Sequence, residues 1–166
     1  MATARRDSWQ TLAPGRMAPL PYHATFSQEE YATIRRGLIP EEMEDKWFVF
    51  WESESLFFHR SWTGHCVYRA DFQPADGRFA IAKALVSEDC EFYHRGSDGH
   101  EIALLDFLIR GLLLHQSIEF PVPRGLRDFA PRGLYQHQIA GTGFPERDLE
   151  SEQPTLLSGL KRWLGL

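Results

Sequence analysis

Six consecutive residues, His59-Arg60-Ser61-Trp62-Thr63-Gly64, gather most of the reactive group types in one short run. An imidazole exchanges a proton near neutral pH, and a guanidinium offers a planar fork to carboxylate or phosphate. Hydroxyls together with the N–H groups of a tight turn can complete an anion site. Just upstream, Glu44 and Asp45 supply carboxylates, Lys46 an ammonium and Trp47 an indole. Read as a site, His59 is the acid or base and Glu44 a carboxylate base beside it. Arg60 clamps an anion, Ser61 and Thr63 donate hydrogen bonds, Asp45 and Lys46 flank the ligand, and Trp47 or Trp62 forms a stacking wall. The same residues also suit an ordinary hairpin, with Thr63 and Gly64 satisfying the turn, Trp62 packing and Arg60 pairing with a local acid. Strand parity sends His59 and Arg60 to opposite faces, so the two need not serve one site.

Other constellations carry less. Glu91, His94, Asp98, His100 and Glu101 bear metal-capable side chains, but their spacing matches no standard zinc or calcium loop. Arg124, Arg127 and Arg132 can clamp an acidic group or simply be solvated in a loop. The Gly141-Thr142-Gly143 run lacks the third glycine and the strand–turn–helix setting of a dinucleotide fingerprint. No serine lies in a nucleophile elbow, and neither Cys66 nor Cys90 has the sequence signature of a nucleophile. No metal and no cofactor is therefore expected. Two functions follow: binding of, or catalysis on, a small anionic or nucleotide-like ligand at the turn, or a protein-interaction module of inhibitor or immunity type. For the second, the acidic surface or an apolar C-terminal helix is the contact.

Elements that position these residues can be read from capping and alternation. Ser27 and Glu30 form a capping box, with Phe26 and Tyr31 at the staple positions, so a helix is expected over 28–36 with Gly37 as its stop. Pro40, Glu41 and Glu42 suit the first turn of a short helix. Segments 46–52, 56–61, 65–72 and 78–86 are aromatic and β-branched and are separated by turn-like runs, which predicts four antiparallel strands in a meander. In the third, Cys66, Tyr68, Ala70 and Phe72 share one face. The first is apolar on both faces and is expected to be central or overlaid. Asp98 and Glu101 repeat the capping spacing ahead of a long apolar helix over 99–115, packed on the sheet. Leu156, Leu160, Trp163 and Leu164 mark a C-terminal helix over 155–164.

Composition bounds the rest. A chain of 166 residues, 43% hydrophobic and 25% charged, suits one soluble α+β domain. Residues 1–21, with three prolines and little to bury, read as a flexible arm, and 22–166 as the domain with a loop-rich C-terminal part. Eighteen basic against 23 acidic residues give a net charge of -5, which disfavours nucleic acid. Two cysteines make no disulfide framework, so a reduced, cytoplasmic setting is expected. The longest apolar run, 102–114, is interrupted by Asp106 and Arg110 and is too short for a membrane.

The motifs EDKWF (44–48), LFFHRSWTG (56–64) followed by CVY (66–68), and HEIALLDFLIRGLLL (100–114) resemble a group of small bacterial proteins of uncharacterised function. The resemblance covers about residues 31–121. It implies a compact α+β domain and carries no catalytic assignment.

Overall fold

The structure, a computed structural model, describes residues 2–42 and 44–121. The expected C-terminal helix and the Arg124, Arg127 and Arg132 loop lie outside the described residues. The chain is α+β with an antiparallel sheet, but the sheet has six strands rather than four. They are β1 (Met17–Leu20), β2 (Thr25–Phe26), β3 (Trp47–Glu52), β4 (Ser55–Arg60), β5 (Cys66–Ala75) and β6 (Arg78–Ser87). The spatial order is β1-β6-β5-β4-β3, and β2 also pairs with β6.

The two additional strands come from segments that local sequence does not mark. Within the expected arm, β1 pairs with the far end of β6, Met17 opposite Ser87 and Leu20 opposite Ala84. Residues 17–20 are thus held by partners distant in sequence rather than loose. Proline is tolerated there because β1 is an edge strand, where one side of the backbone needs no ladder partner.

Helix α1 (Gln28–Ile34) starts as expected. The Ser27 hydroxyl oxygen accepts the Glu30 N–H at 3.1 Å, and the Glu30 carboxylate accepts the Ser27 N–H at 2.8 Å. The second expected helix is divided: α2 (Asp98–Phe107) is a ten-residue α-helix that continues as a π-helical segment, Leu108–Leu113. The long apolar helix is therefore not formed as one regular element. Its cap is Ser97, whose oxygen accepts the His100 N–H, rather than Asp98. The short helix expected at Pro40 is also replaced: Asp45 Oδ2 accepts the N–H groups of Glu41 and Glu42 at 2.9 and 3.2 Å, closing a compact loop. A side chain thus satisfies donors that a helix would leave open at its first turn.

The main core fills one face of the sheet, where Trp47, Val49, Leu56, Phe58, Tyr68 and Phe72 meet α1, α2 and the π-helical segment. A second cluster on the other face joins Phe48, Phe50, Phe57 and Cys66 to Ala4 from the N-terminal residues. Strand β3 is buried on both faces because it is overlaid; it lies at the sheet edge, not at its centre. Pairing steps from Phe58↔Tyr68 to His59↔Cys66, a bulge that leaves Val67 as the extra residue. Simple parity fails there, and Cys66 packs in the second cluster, away from Tyr68. Burial pushes its thiol up to about 12, so it is an inert packing group.

Candidate functional site

The expected site residues are sorted into three environments by the alternation of β3 and β4. His59 follows Phe48 and Phe50 onto the arm side, where its ring stacks on Phe50 with centroids 5.4 Å apart. Its Nδ1 lies 2.7 Å from the carbonyl oxygen of Gly64. A carbonyl only accepts, so Nδ1 carries the proton and His59 spans its own turn. Burial lowers its pKa, which keeps it neutral.

Arg60 and Trp47 lie on the opposite face, both buried, with the guanidinium carbon 5.0 Å from the centre of the Trp47 ring system. They adjoin a polar group centred on Glu101, which the sequence offered only as a metal-capable or helix-capping residue. The fully buried Glu101 carboxylate accepts from the hydroxyls of Tyr68 and Tyr93, the latter at 2.8 Å, and from the Gly96 N–H at 2.6 Å. Burial first, together with the neighbouring Glu101 carboxylate, raises both phenols well above their usual range, so they remain donors. This group ties α2 and the 88–97 loop to the centre of the sheet. His65 Nε2 lies 2.7 Å from Ser87 Oγ, both residues being buried, and the ring stacks on the half-buried Phe92 at 5.1 Å. The Ser87 oxygen also accepts the Asp89 N–H at 3.2 Å, so the pair closes the end of β6.

The turn itself faces outward. Ser61 is buried; its N–H donates to the Lys46 carbonyl at 3.0 Å and its hydroxyl to the Asp45 carbonyl at 2.6 Å, which joins the 40–46 loop to the turn. The Thr63 hydroxyl accepts the His65 N–H at 3.2 Å. Glu44, Trp62 and Thr63 are exposed, and Lys46 holds its ammonium 4.7 Å above the Trp62 ring system. Glu44, on the exposed loop, and His59, enclosed by phenylalanines, are thus not brought together as base and acid. Nor do Arg60, Ser61 and Thr63 converge: one points beneath the sheet, one binds the loop and one is in solvent.

Residues 9–12 complete this surface. The Trp9 indole N–H donates to the Ser61 carbonyl at 2.7 Å, and the Gln10 amide donates to the Ser61 and Trp62 carbonyls at 2.9 and 2.8 Å. The Leu12 N–H donates to the Gly64 carbonyl at 2.8 Å. Gly64 has φ of +74°, and a Cβ on it would lie 3.2 to 3.3 Å from the backbone of Gln10, Thr11 and Leu12. Glycine therefore serves both the turn and the close passage of the chain. Trp9 is 38% exposed, Leu12 45% and Trp62 63%; among the described residues these are all the exposed large hydrophobic side chains. The indole and leucine within the supposedly loose arm were the available signal for this surface.

Among the described residues, no group of three or more metal-ligating side chains is gathered, and no helix is long and apolar enough to cross a membrane. No protein-family model, curated protein or solved structure matches the chain.

Proposed function

We propose that this chain is a protein-interaction module, with its contact surface at Trp9, Leu12 and Trp62 around the β4–β5 turn. The observation that carries this reading is the gathering of every exposed large hydrophobic side chain among the described residues at one turn. Isolated surface hydrophobics are ordinary, whereas a contiguous patch marks a contact surface, and tryptophan is a favoured anchor at such surfaces. Hydrogen bonds to the turn carbonyls, from the side chains of Trp9 and Gln10 and from the Leu12 backbone N–H, hold the patch in place before any partner arrives. The ligand reading has less support, because His59 Nδ1 and the Ser61 hydroxyl are bonded within the fold and Arg60 is buried against Trp47.

The test is site-specific photocross-linking of the full chain in its native cells. A photoreactive residue at Thr63, beside the patch, is expected to capture a discrete protein product, and Trp62→Glu is expected to abolish it. The same probe at Lys83, an exposed position on β6, should capture none. Equal products from the two positions, or none from Thr63 in a folded protein, would overturn the assignment.

A further inference from the structure

The surroundings of the patch have a dominant charge. The 40–46 loop is attached to the turn through both bonds from Ser61, and its Glu41, Glu42 and Glu44 side chains are exposed. No described residue forms an ion pair with the carboxylate of Glu41 or Glu42. Lys46 lies against Trp62, and Arg6 is paired with Glu52. Arg5 and Asp7, close to Trp9 in sequence, are exposed and of opposite sign.

We infer that the patch takes a basic, amphipathic protein segment, with an apolar residue seated among Trp9, Leu12 and Trp62 and arginine or lysine directed at Glu41 and Glu42. This rests on the interaction-module reading and adds the chemistry of the partner. Asp45 fixes the loop by accepting two of its backbone N–H groups, and Ser61 ties that loop to the turn bearing Trp62, so the backbone that carries the carboxylates is set in advance. An incoming guanidinium can also lie on the indole face, the position that Lys46 occupies in the free chain. A second copy of the chain is a poorer occupant: each copy carries a net charge of -5, and a two-fold contact would set one acidic rim close to the other. Nucleic acid meets the same repulsion.

The probe is a short synthetic peptide with leucine anchors flanked by arginine, compared with the same peptide carrying glutamate for arginine. Binding to the full chain is followed by calorimetry, and association state by sedimentation. The arginine peptide is expected to bind, more weakly as salt rises, and the glutamate peptide is not. Trp62→Ala should weaken binding about tenfold, as removal of an interface anchor does. Glu41→Gln with Glu42→Gln should weaken it about threefold and flatten the salt dependence, as loss of rim charge does. The latter pair leaves the fold intact because Asp45 holds those two residues by their backbone. Equal binding of both peptides through Trp62 would overturn the basic-partner inference while leaving the contact patch standing. Binding of neither peptide, binding indifferent to the glutamate substitutions, or a concentration-dependent dimer lost in Trp62→Ala would each overturn it as well. Failure of the contact patch itself would appear separately, as loss of cross-linking from Thr63.

Discussion

The imidazole of His59 donates from Nδ1 to the carbonyl oxygen of Gly64 at 2.7 Å, closing the turn whose outer surface carries Trp62. The histidine that looks like an acid–base catalyst in sequence is thus a brace, packed between phenylalanines and held neutral by burial. His59→Ala removes a buried hydrogen bond and the ring packing together, and is expected to destabilise by about 2 to 4 kcal/mol. Urea unfolding measures this, and an unchanged midpoint would contradict the bracing role.

The same burial sets a pH dependence. His59 and His65 have lowered pKa values in the folded chain, chiefly through desolvation. The unfolded chain then binds protons that the folded chain does not as pH falls below about 6.5, the ordinary histidine value. Stability is fully present above that value and is lost as pH falls toward the folded pKa values, with a limiting slope of about 1.4 kcal/mol per pH unit for each histidine. Melting temperature measured from pH 7.5 to 5.5 is expected to decline, and less steeply in His59→Asn. A flat profile would contradict the neutral, buried assignment.

The parts of this fold that are legible in sequence are those determined locally. Ser27 and Glu30 make their capping box within one turn, and β3 to β6 show aromatic alternation broken by turn residues. What was illegible depends on distant partners. Met17 becomes a strand residue only opposite Ser87, and Cys66 changes sides because a bulge intervenes at Val67. The continuation of α2 as a π-helical segment has no local marker comparable to a capping box. The site was half legible for the same reason: the polar turn stands out, but the bonds from the Trp9 indole and the Leu12 N–H that make it a surface span about fifty residues.

Ser53 and Glu54 connect β3 to β4 with φ of 51° and 62°, a left-handed pair that usually requires glycine or asparagine. The strain is held by tertiary contacts: the Glu54 carboxylate accepts the Tyr31 hydroxyl at 3.2 Å, and its carbonyl accepts the Phe72 N–H at 3.0 Å. Ser53→Gly relieves one strained position without touching these bonds. It is expected to raise stability by about 0.5 to 1 kcal/mol, read as a higher thermal midpoint. A lower midpoint would show that Ser53 contributes something beyond its backbone.

Leu105 and Leu108 are fully buried where α2 passes into the π-helical segment. Either leucine replaced by alanine should cost about 2 to 5 kcal/mol through lost burial and a residual cavity. Trp62→Ala, at a position 63% exposed, should change stability by no more than about 0.5 kcal/mol. Chemical denaturation of the three variants separates core from surface: a Trp62 variant as unstable as the leucine variants would make that indole a packing residue and remove it from the contact patch.

Glu101 offers the sharpest contrast with a surface acid, because its carboxylate is enclosed with the hydroxyls of Tyr68 and Tyr93 and the Gly96 N–H as donors. Glu101→Ala takes the carboxylate acceptor from these three donors, leaving the two phenols only each other at 3.1 Å, and opens a void, so a loss of about 3 to 5 kcal/mol is expected. Adding Tyr68→Phe to Glu101→Ala removes one of the donors that lost its acceptor and should recover part of that loss. A double-mutant cycle on unfolding free energies checks the coupling. Additive costs would mean that the carboxylate and the phenols stabilise the fold independently, and that the network holding α2 to the sheet is not cooperative.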